Sequence, residues 1–343
     1  MNILLLTAHD IAEYDDLRML TDLGYDVFSI GSYTNPAVGG ARALRPTLPD
    51  APYHPDLEAL CVIQRELHAG QSTDYGIVDW AKADLHPEVI EWADTIIVHH
   101  FLEAWVIAQW ERIRHKRVIW RTCGQSNPRL EFEMRPLHDE GLQIVRYSPR
   151  ERIAFEPLGC FAGEDALIRF GKYPDDYGPW VGDTLAVGNV TQNMDTRGEH
   201  CGYPQWQAGT VGLPVSPAGT GSERFGGIGE MTYPAMLGYL CHIRTYLYTG
   251  TQPASYTLGL MEAMLSGVPV VSIGPAGMWM PELFEGHELT RIWSDDPAEV
   301  RLMLSRFLTD DDLAAVASVA MRERGLELFD IAHVAPAWQA FLG

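Results

Sequence analysis

Short apolar runs alternate with amphipathic segments along this chain, a pattern that indicates buried strands connected by helices. Near the N-terminus, MNILLL predicts a buried strand, residues 17–23 predict a helix that ends at Gly24, and DVFSIGS predicts a second strand. The pattern returns as the strand DTIIVH, a Trp-rich helix over residues 102–114 and the strand RVIWRTCG. Strands joined through helices pair in parallel, so the first half of the chain predicts a parallel sheet.

The alternation is interrupted by a change of composition. Residues 170–182, FGKYPDDYGPWVG, are rich in Pro and Gly, which is typical of a linker. A second strand series begins with DTLAVGNV, resumes over residues 234–273, and is followed by a largely helical tail over residues 296–342. We therefore predict an α/β protein with two domains, residues 1–172 and 183–325, joined by a linker at 173–182 and followed by a helix at 326–343.

The most informative stretch is residues 248–273, YTGTQPASYTLGLMEAMLSGVPVVSI. TGTQPAS predicts a polar loop, while Leu258, Met261 and Leu265 recur at helical spacing. Gly267 is predicted to end the helix, and residues 268–273 predict a short buried strand. The stretch therefore predicts a loop, a helix and a strand in succession.

A single carboxylate, Glu262, lies inside this otherwise apolar helix. A charge among core residues is costly unless another group pairs with it. The start of the same helix offers unpaired backbone N–H groups and the positive end of the helix dipole, which suit a phosphate. A carboxylate that can accept two hydroxyls beside such a helix start outlines a nucleotide-sugar pocket.

Composition removes several other classes of protein. The chain has 343 residues and a formal net charge of −21 without a run of Lys or Arg, so no broad surface for nucleic acid or an anionic membrane is expected. The apolar run at residues 3–6 is too short for a signal segment, and no apolar span is long enough to cross a membrane. Five scattered cysteines are expected to be free thiols. We therefore expect a cytoplasmic protein.

The acidic pairs do not predict a metal site. Asp15 with Asp16, Asp175 with Asp176, and residues 310–312 lack the D-x-D spacing of a cation-binding strand end. They are expected to be helix caps and solvated turns, which leaves no evident place for a hard cation.

The stretch ASYTLGLMEAMLSGVPVV resembles the nucleotide-binding signature of retaining glycosyltransferases of family 4, E-x-F-G-L-x-x-x-E-A-M-A-x-G-x-P-V-V. The match is close from Glu262 to Val271, whereas Ala254 occupies the place of the first Glu. In the family the first Glu contacts the donor sugar and the last Glu holds the ribose. The resemblance therefore implies that Glu262 binds ribose hydroxyls and that the donor sugar meets other groups, for which the candidates are Ser255, Tyr256, Thr257, Leu258 and backbone N–H groups.

The resemblance also implies a fold and an activity. Family 4 enzymes have the GT-B fold, two Rossmann-like domains that face each other across a cleft, with the donor nucleotide held by the C-terminal domain. In this fold the last helix, here residues 326–343, crosses back to the first domain. The implied activity is transfer of a sugar from a nucleotide diphosphate donor to an acceptor hydroxyl, with retention at the anomeric carbon, without a metal and without a further cofactor.

Further site residues follow from the same resemblance. His99 ends the strand DTIIVH, where the family has a His that contacts the donor sugar. Two basic residues of the family grip the diphosphate; Asn189 replaces the first, and Arg197 fits the second. Gly277 matches a loop whose backbone N–H groups lie near the phosphates. Weaker candidates for the acceptor side or the cleft are His9, His100, Ser148 and Arg224.

Two alternatives remain open from the sequence. One is another GT-B enzyme, such as a nucleotide-sugar 2-epimerase or a phosphorylase. The other is a non-catalytic relative that binds nucleotide sugars, since Ala254 and Asn189 stand where the family has functional groups. The sequence does not name the donor base, the sugar, the oligomeric state or the acceptor, for which a small molecule, a glycan, a protein and a modified nucleic-acid base are all candidates.

Overall fold

The computed structural model describes residues 1–7, 10–30, 59, 85–99, 103–124, 126–252, 254–274, 280–284 and 292–343. The chain divides into two compact units. The first consists of Met1–Gly171 together with Val334–Gly343, and the second of Lys172–His333.

The first unit is built on a parallel sheet, which among the described residues has six strands in the order β2-β1-β3-β4-β5-β6. The strands are β1 (Asn2–Leu6), β2 (Asp26–Ile30), β3 (Thr95–His99), β4 (Arg117–Arg121), β5 (Gln143–Arg146) and β6 (Ala166–Leu167). The helices between them are α1 (Asp10–Asp22), α2 (Pro87–Trp92), α3 (Glu103–Ile113), α4 (Pro128–Asp139) and α5 (Arg150–Phe155). The predicted parallel strand–helix–strand start is confirmed, with Leu4 beside Phe28 in the register of β1 and β2.

Helix α1 is longer than its apolar pattern indicated, because it begins at Asp10 rather than at residue 17. Its first half contains three carboxylates that are buried, Glu13, Asp15 and Asp16. Glu13 accepts a hydrogen bond of 2.7 Å from the hydroxyl of Ser29. The interpretation of Asp15 and Asp16 as solvated residues is therefore wrong. It failed because a helix that buries polar groups lacks the apolar spacing by which a buried helix face is recognised in a sequence.

The second unit has a parallel sheet that, in the described part of the chain, has four strands in the order β10-β9-β8-β7. These strands are β7 (Thr184–Gly188), β8 (Ile243–Tyr248), β9 (Val270–Ile273) and β10 (Trp293–Ser294). The α-helices of this unit, followed by the last helix of the chain, are α6 (Met194–Arg197), α7 (Tyr203–Thr210), α8 (Tyr233–His242), α9 (Leu258–Ser266), α10 (Met280–Phe284), α11 (Pro297–Thr309), α12 (Asp311–Phe329) and α13 (Ile331–Leu342). A core of strand and helix side chains joins the sheet to its helices, including Val187, Leu247, Val271, Trp206 and Leu304.

Helix α9 is the predicted helix of residues 248–273. The Thr257 hydroxyl caps its start by accepting the Leu260 N–H, and Gly267, with φ 79°, ends it in the left-handed region that favours glycine. The Val268 N–H bonds back to the Ala263 carbonyl at 2.9 Å, closing the helix end. For this reason the following strand begins at Val270 rather than at residue 268.

The end of α13 packs within the first unit. The Arg117 guanidinium donates hydrogen bonds of 2.6 and 2.7 Å to the carbonyls of Phe341 and Leu342 and lies 5.0 Å from the centre of the Phe341 ring. Among the described residues, no helix combines the length and the apolar character needed to cross a membrane.

Candidate functional site

The carboxyl ends of β7 and β8 meet the start of α9 at one edge of the second sheet. Val190, which follows β7, donates its N–H to the Tyr246 hydroxyl at 3.0 Å. A Cβ atom placed on Gly259 would lie 3.4 Å from the Val190 carbonyl oxygen, so the loop after β7 lies directly against the first turn of α9. In open parallel sheets, ligands bind at this edge, beyond the carboxyl ends of the strands.

The start of α9 is its accessible part. Thr257, Leu258 and Gly259 are partly exposed, whereas every residue from Leu260 to Ser266 is buried. The first N–H groups of a helix have no partner within the helix and lie at the positive end of its dipole. This turn can therefore receive a phosphate or another anion.

The residues just before the helix are less accessible. Ala254, Ser255 and Tyr256 are all buried, and the Tyr256 ring packs on Phe329 with 5.3 Å between ring centres. Four side chains were predicted to meet a donor sugar here. Two of them, Thr257 and Leu258, belong to the partly exposed helix start, whereas Ser255 and Tyr256 do not.

Glu262 lies one helical turn beyond Leu258 and is only 3% exposed. The ammonium of Lys172, itself 1% exposed, is 3.1 Å from Oε1 of Glu262. The countercharge that a buried glutamate requires is therefore present. It comes from the Pro- and Gly-rich stretch 170–182, just before the predicted linker, rather than from the motif, and the sequence analysis did not assign it.

The phenol of Tyr246 lies close to the same carboxylate. Burial, together with the negative charge of Glu262, raises the pKa of Tyr246 far above its ordinary value, against a smaller opposing effect of the Val190 hydrogen bond. The hydroxyl therefore remains protonated and serves as the acceptor that fixes the loop after β7.

Asn189 is buried at the end of β7 and connects two strands. Its side-chain amide donates a hydrogen bond of 2.8 Å to the Leu247 carbonyl, and its own N–H donates to the Tyr239 hydroxyl at 3.2 Å. Oδ1 of Asn189 makes no hydrogen bond in the described part of the chain. The residue thus occupies the predicted strand end, with its donor groups engaged within the protein.

Arg197 is exposed at the end of α6. Its side chain donates to the Gln192 carbonyl at 3.3 Å, and it forms no salt bridge with any described residue. The segment that follows is attached to the loop after β8, since Gln252 donates its N–H to the His200 carbonyl at 2.8 Å. Burial and the Arg197 charge lower the pKa of His200. Within the described part of the chain, Arg197 is therefore a cation without a carboxylate partner beside the strand-end loops.

Arg224 is in a different situation, although the sequence also named it as a candidate. Its guanidinium forms two hydrogen bonds of 2.5 Å with the carboxylate of Asp195. This pairing, with Arg224 as its main cause, lowers the pKa of Asp195. Arg224 therefore already has a carboxylate partner, whereas Arg197 has none among the residues that the structure describes.

The described candidates of the first unit, His99 and Ser148, are buried. His99 is 1% exposed, and its Nε2 is 2.9 Å from the Asp16 carboxylate. Ser148 is also buried, and its hydroxyl accepts the N–H of Arg150 at 3.2 Å, so it acts as a cap near the start of α5. His9, His100 and Gly277 lie outside the described residues.

A buried charge network, which the sequence did not predict, links the ends of β4 and β5. Arg146 pairs with both oxygens of Glu131 at 2.6 and 2.7 Å. One oxygen of Glu151 accepts the Thr122 hydroxyl at 2.8 Å, and its other oxygen is 3.9 Å from Arg146. Burial raises the pKa of Glu151, and the opposing contacts do not outweigh it. Burial also acts to raise the pKa of Glu131, but hydrogen bonds and the charge of Arg146 outweigh it, so that this pKa is lowered.

Two α/β units, each with a parallel sheet, define the fold of this chain as GT-B, the fold that the sequence resemblance implied. It is shared with a sucrose-phosphate synthase from Thermosynechococcus elongatus, which is 14% identical with a TM-score of 0.67 over 100% of this chain and 98% of that chain.

A second similar structure is HepE of Anabaena in complex with UDP and glucose, 13% identical, with a TM-score of 0.63 over 100% of this chain and 99% of that one. A glycosyltransferase from Rickettsia africae has 11% identity and a TM-score of 0.64 over 99% and 97%. No family model and no curated protein sequence matches the chain. At such identities the likeness establishes the fold.

Proposed function

We propose that this chain is a glycosyltransferase that transfers a sugar from a nucleotide diphosphate donor to an acceptor hydroxyl. The observation that carries the proposal is the exposed start of α9 at the carboxyl edge of the second sheet, with Glu262 one turn further along the helix. The likeness to a GT-B structure covers the whole chain. In addition, α9 and the strand after it match the second half of the family 4 signature.

The proposed roles follow from the position and charge of each group. Glu262 accepts ribose hydroxyls, while the first N–H groups of α9 and the exposed guanidinium of Arg197 bind the diphosphate. When the bond to the sugar breaks, negative charge grows on the β-phosphate, and the same cationic and dipolar groups stabilise it. This supports a reaction in which no metal ion is needed to neutralise the leaving group.

Uridine diphosphate sugars are the first donors to test. HepE has been crystallised with UDP and with UDP-glucose, and in both cases the likeness covers this whole chain. Retention at the anomeric carbon is proposed from the resemblance to family 4, with the leaving diphosphate accepting the proton of the attacking hydroxyl. His99 is proposed to orient the donor sugar, held in place by Asp16.

The test has two stages. Thermal shift with UDP, GDP, ADP and TDP identifies the base, because a ligand that binds only the folded state raises the melting temperature. NMR of the matching nucleotide sugar with candidate acceptors then follows release of the diphosphate and the configuration of the product. Absence of any nucleoside diphosphate binding to folded protein overturns the proposal.

A binding protein without transfer activity is the second candidate. It is favoured by Ala254, which is buried where the family places its sugar-binding Glu, and by Asn189, whose amide is engaged with Leu247. Binding of the donor with no turnover by any acceptor extract supports this candidate. Isomerisation of the donor incubated alone, seen by NMR, identifies an epimerase instead.

A further inference from the structure

Lys172 connects two places that are distant in sequence. Its side chain reaches Glu262 on α9, 90 residues away, with 3.1 Å between Nζ and Oε1. Its backbone is fixed on both sides, since its N–H donates to the Phe329 carbonyl and its carbonyl accepts the Ile331 N–H, both at 2.8 Å. The lysine side chain therefore starts from an anchored backbone and ends on the carboxylate.

We propose that Lys172 is a positioning residue of the nucleotide site, which holds the Glu262 carboxylate towards ribose and thereby gives the site its preference for ribonucleotides over 2′-deoxyribonucleotides. The inference rests on the proposed function, because it concerns the same nucleotide site. Nothing in the family signature includes a residue at this position of the chain.

The surroundings of Glu262 explain why a cation is needed. Met261, Ala263 and Leu265 are completely buried apolar neighbours on the same helix. In such surroundings a carboxylate without a countercharge is strongly disfavoured. An ammonium on Oε1 compensates the charge and restricts rotation of the carboxylate plane. A carboxylate has about four acceptor positions, so an ammonium and hydroxyls can be bound by the same group.

The choice of lysine is also consistent with this role. The chain has only three lysines among its 25 basic residues. A lysine ammonium is a compact point charge, whereas an arginine would occupy both carboxylate oxygens with its planar fork, as Arg146 does on Glu131. A lysine therefore compensates the charge without imposing a pairing on both oxygens.

The anchor of Lys172 also contacts the loop before α9. Phe329, which accepts the Lys172 N–H, packs its ring on Tyr256 at 5.3 Å. The same small region thus supports both the carboxylate and the residues that lead into the phosphate-binding helix start.

The experiment compares UDP with 2′-deoxy-UDP by calorimetry on the full chain. The variants are Lys172→Met, Lys172→Arg and Glu262→Gln. Lys116→Met is the matched control, because it removes another lysine that pairs with a glutamate, with 3.7 Å between Nζ of Lys116 and Oε2 of Glu91. The wild type is expected to prefer UDP by about tenfold or more, the effect of losing one hydrogen bond to a charged group. Lys172→Met and Glu262→Gln should lose most of this preference, Lys172→Arg should retain more of it than Lys172→Met, and Lys116→Met should keep it.

The outcomes separate the inference from the proposed function. A wild type that binds neither nucleotide refutes the uridine nucleotide site and the inference with it. A wild type that binds UDP and 2′-deoxy-UDP equally overturns the inference alone, and so does a folded Lys172→Met protein with the wild-type ratio and only a lower melting temperature. If Lys172→Met does not fold, Lys172→Gln replaces it, because its shorter, neutral side chain removes the positive charge and falls short of the 3.1 Å contact with Oε1, and an unchanged ratio in that variant also overturns the inference.

Discussion

Arg197 offers the sharpest test of the diphosphate site, because its removal should disturb binding and little else. The side chain is exposed, forms no salt bridge with a described residue and makes one hydrogen bond of 3.3 Å to the Gln192 carbonyl. Exposed substitutions of this kind change the free energy of unfolding by about 0.5 kcal/mol or less. The Arg197→Ala protein is therefore expected to fold as the wild type does.

The expected loss of affinity follows from the charge of both partners. A hydrogen bond to a charged group contributes about 1.5–3 kcal/mol, which corresponds to UDP binding that is roughly 10- to 150-fold weaker. Uridine lacks the diphosphate, so its affinity should be unchanged by Arg197→Ala. Because exposed charges are screened by salt, the difference between wild type and variant should shrink at high ionic strength.

Arg224→Ala is the matched control. Arg224 lies on the same unit, but its guanidinium is engaged by Asp195 through two hydrogen bonds of 2.5 Å. Its removal should affect the local loop structure more than UDP affinity. Calorimetry of UDP and uridine with the three proteins at two salt concentrations gives the answer. Equal losses for UDP and uridine in Arg197→Ala, or unchanged UDP affinity, refute the assignment of Arg197 to the diphosphate.

Three other predictions concern the chemistry and the first unit. Donor turnover should survive an excess of EDTA, and activity that is lost in EDTA and restored by manganese contradicts a metal-free mechanism. Arg146→Met, which leaves Glu131 and Glu151 buried without their cation, should lower the free energy of unfolding by about 3–5 kcal/mol, measured in urea, and a loss below about 1 kcal/mol refutes the importance of this network. The pKa of Glu151 is raised in the folded state. At pH values above this raised pKa the buried carboxylate is ionised and lowers the free energy of unfolding. This destabilisation disappears as the pH falls towards 4.5, the ordinary pKa of a glutamate. Glu151→Gln should therefore raise the free energy of unfolding at neutral pH, with a gain that fades in acid, and a gain that grows in acid contradicts this sign.

The order of strands and helices could be predicted because it depends on local patterns. Strands such as β1 and β3 are short apolar runs, and α9 has both an apolar face and a Gly at its end. The polar start of α1 could not be predicted in the same way, because its buried carboxylates meet groups elsewhere in the chain: Glu13 accepts a hydrogen bond from Ser29, and Asp16 lies 2.9 Å from His99.

The candidate site could likewise be predicted only where it depends on a local pattern. The helix that carries Glu262 was encoded in one continuous stretch, and it is found where that stretch predicted it. The difference between Arg197 and Arg224 was not, because it depends on whether a carboxylate lies within reach after folding, and Asp195 meets only Arg224. The sequence shows which groups are present, whereas availability for a ligand is decided by which of them pair with one another.

Lys172 shows the same limit most clearly. That a buried glutamate needs a cation follows from physical chemistry alone, but with 25 basic residues the sequence cannot say which one is used. Lys172 lies in a segment whose Pro and Gly content indicates a linker, where a lysine is expected to be solvated. It is buried because the segment forms a parallel bridge with Asp330 at the end of α12, which brings its side chain under α9. A search for the partner of an isolated buried charge should therefore include Pro- and Gly-rich segments, because these can carry cations that no helical or strand pattern reveals.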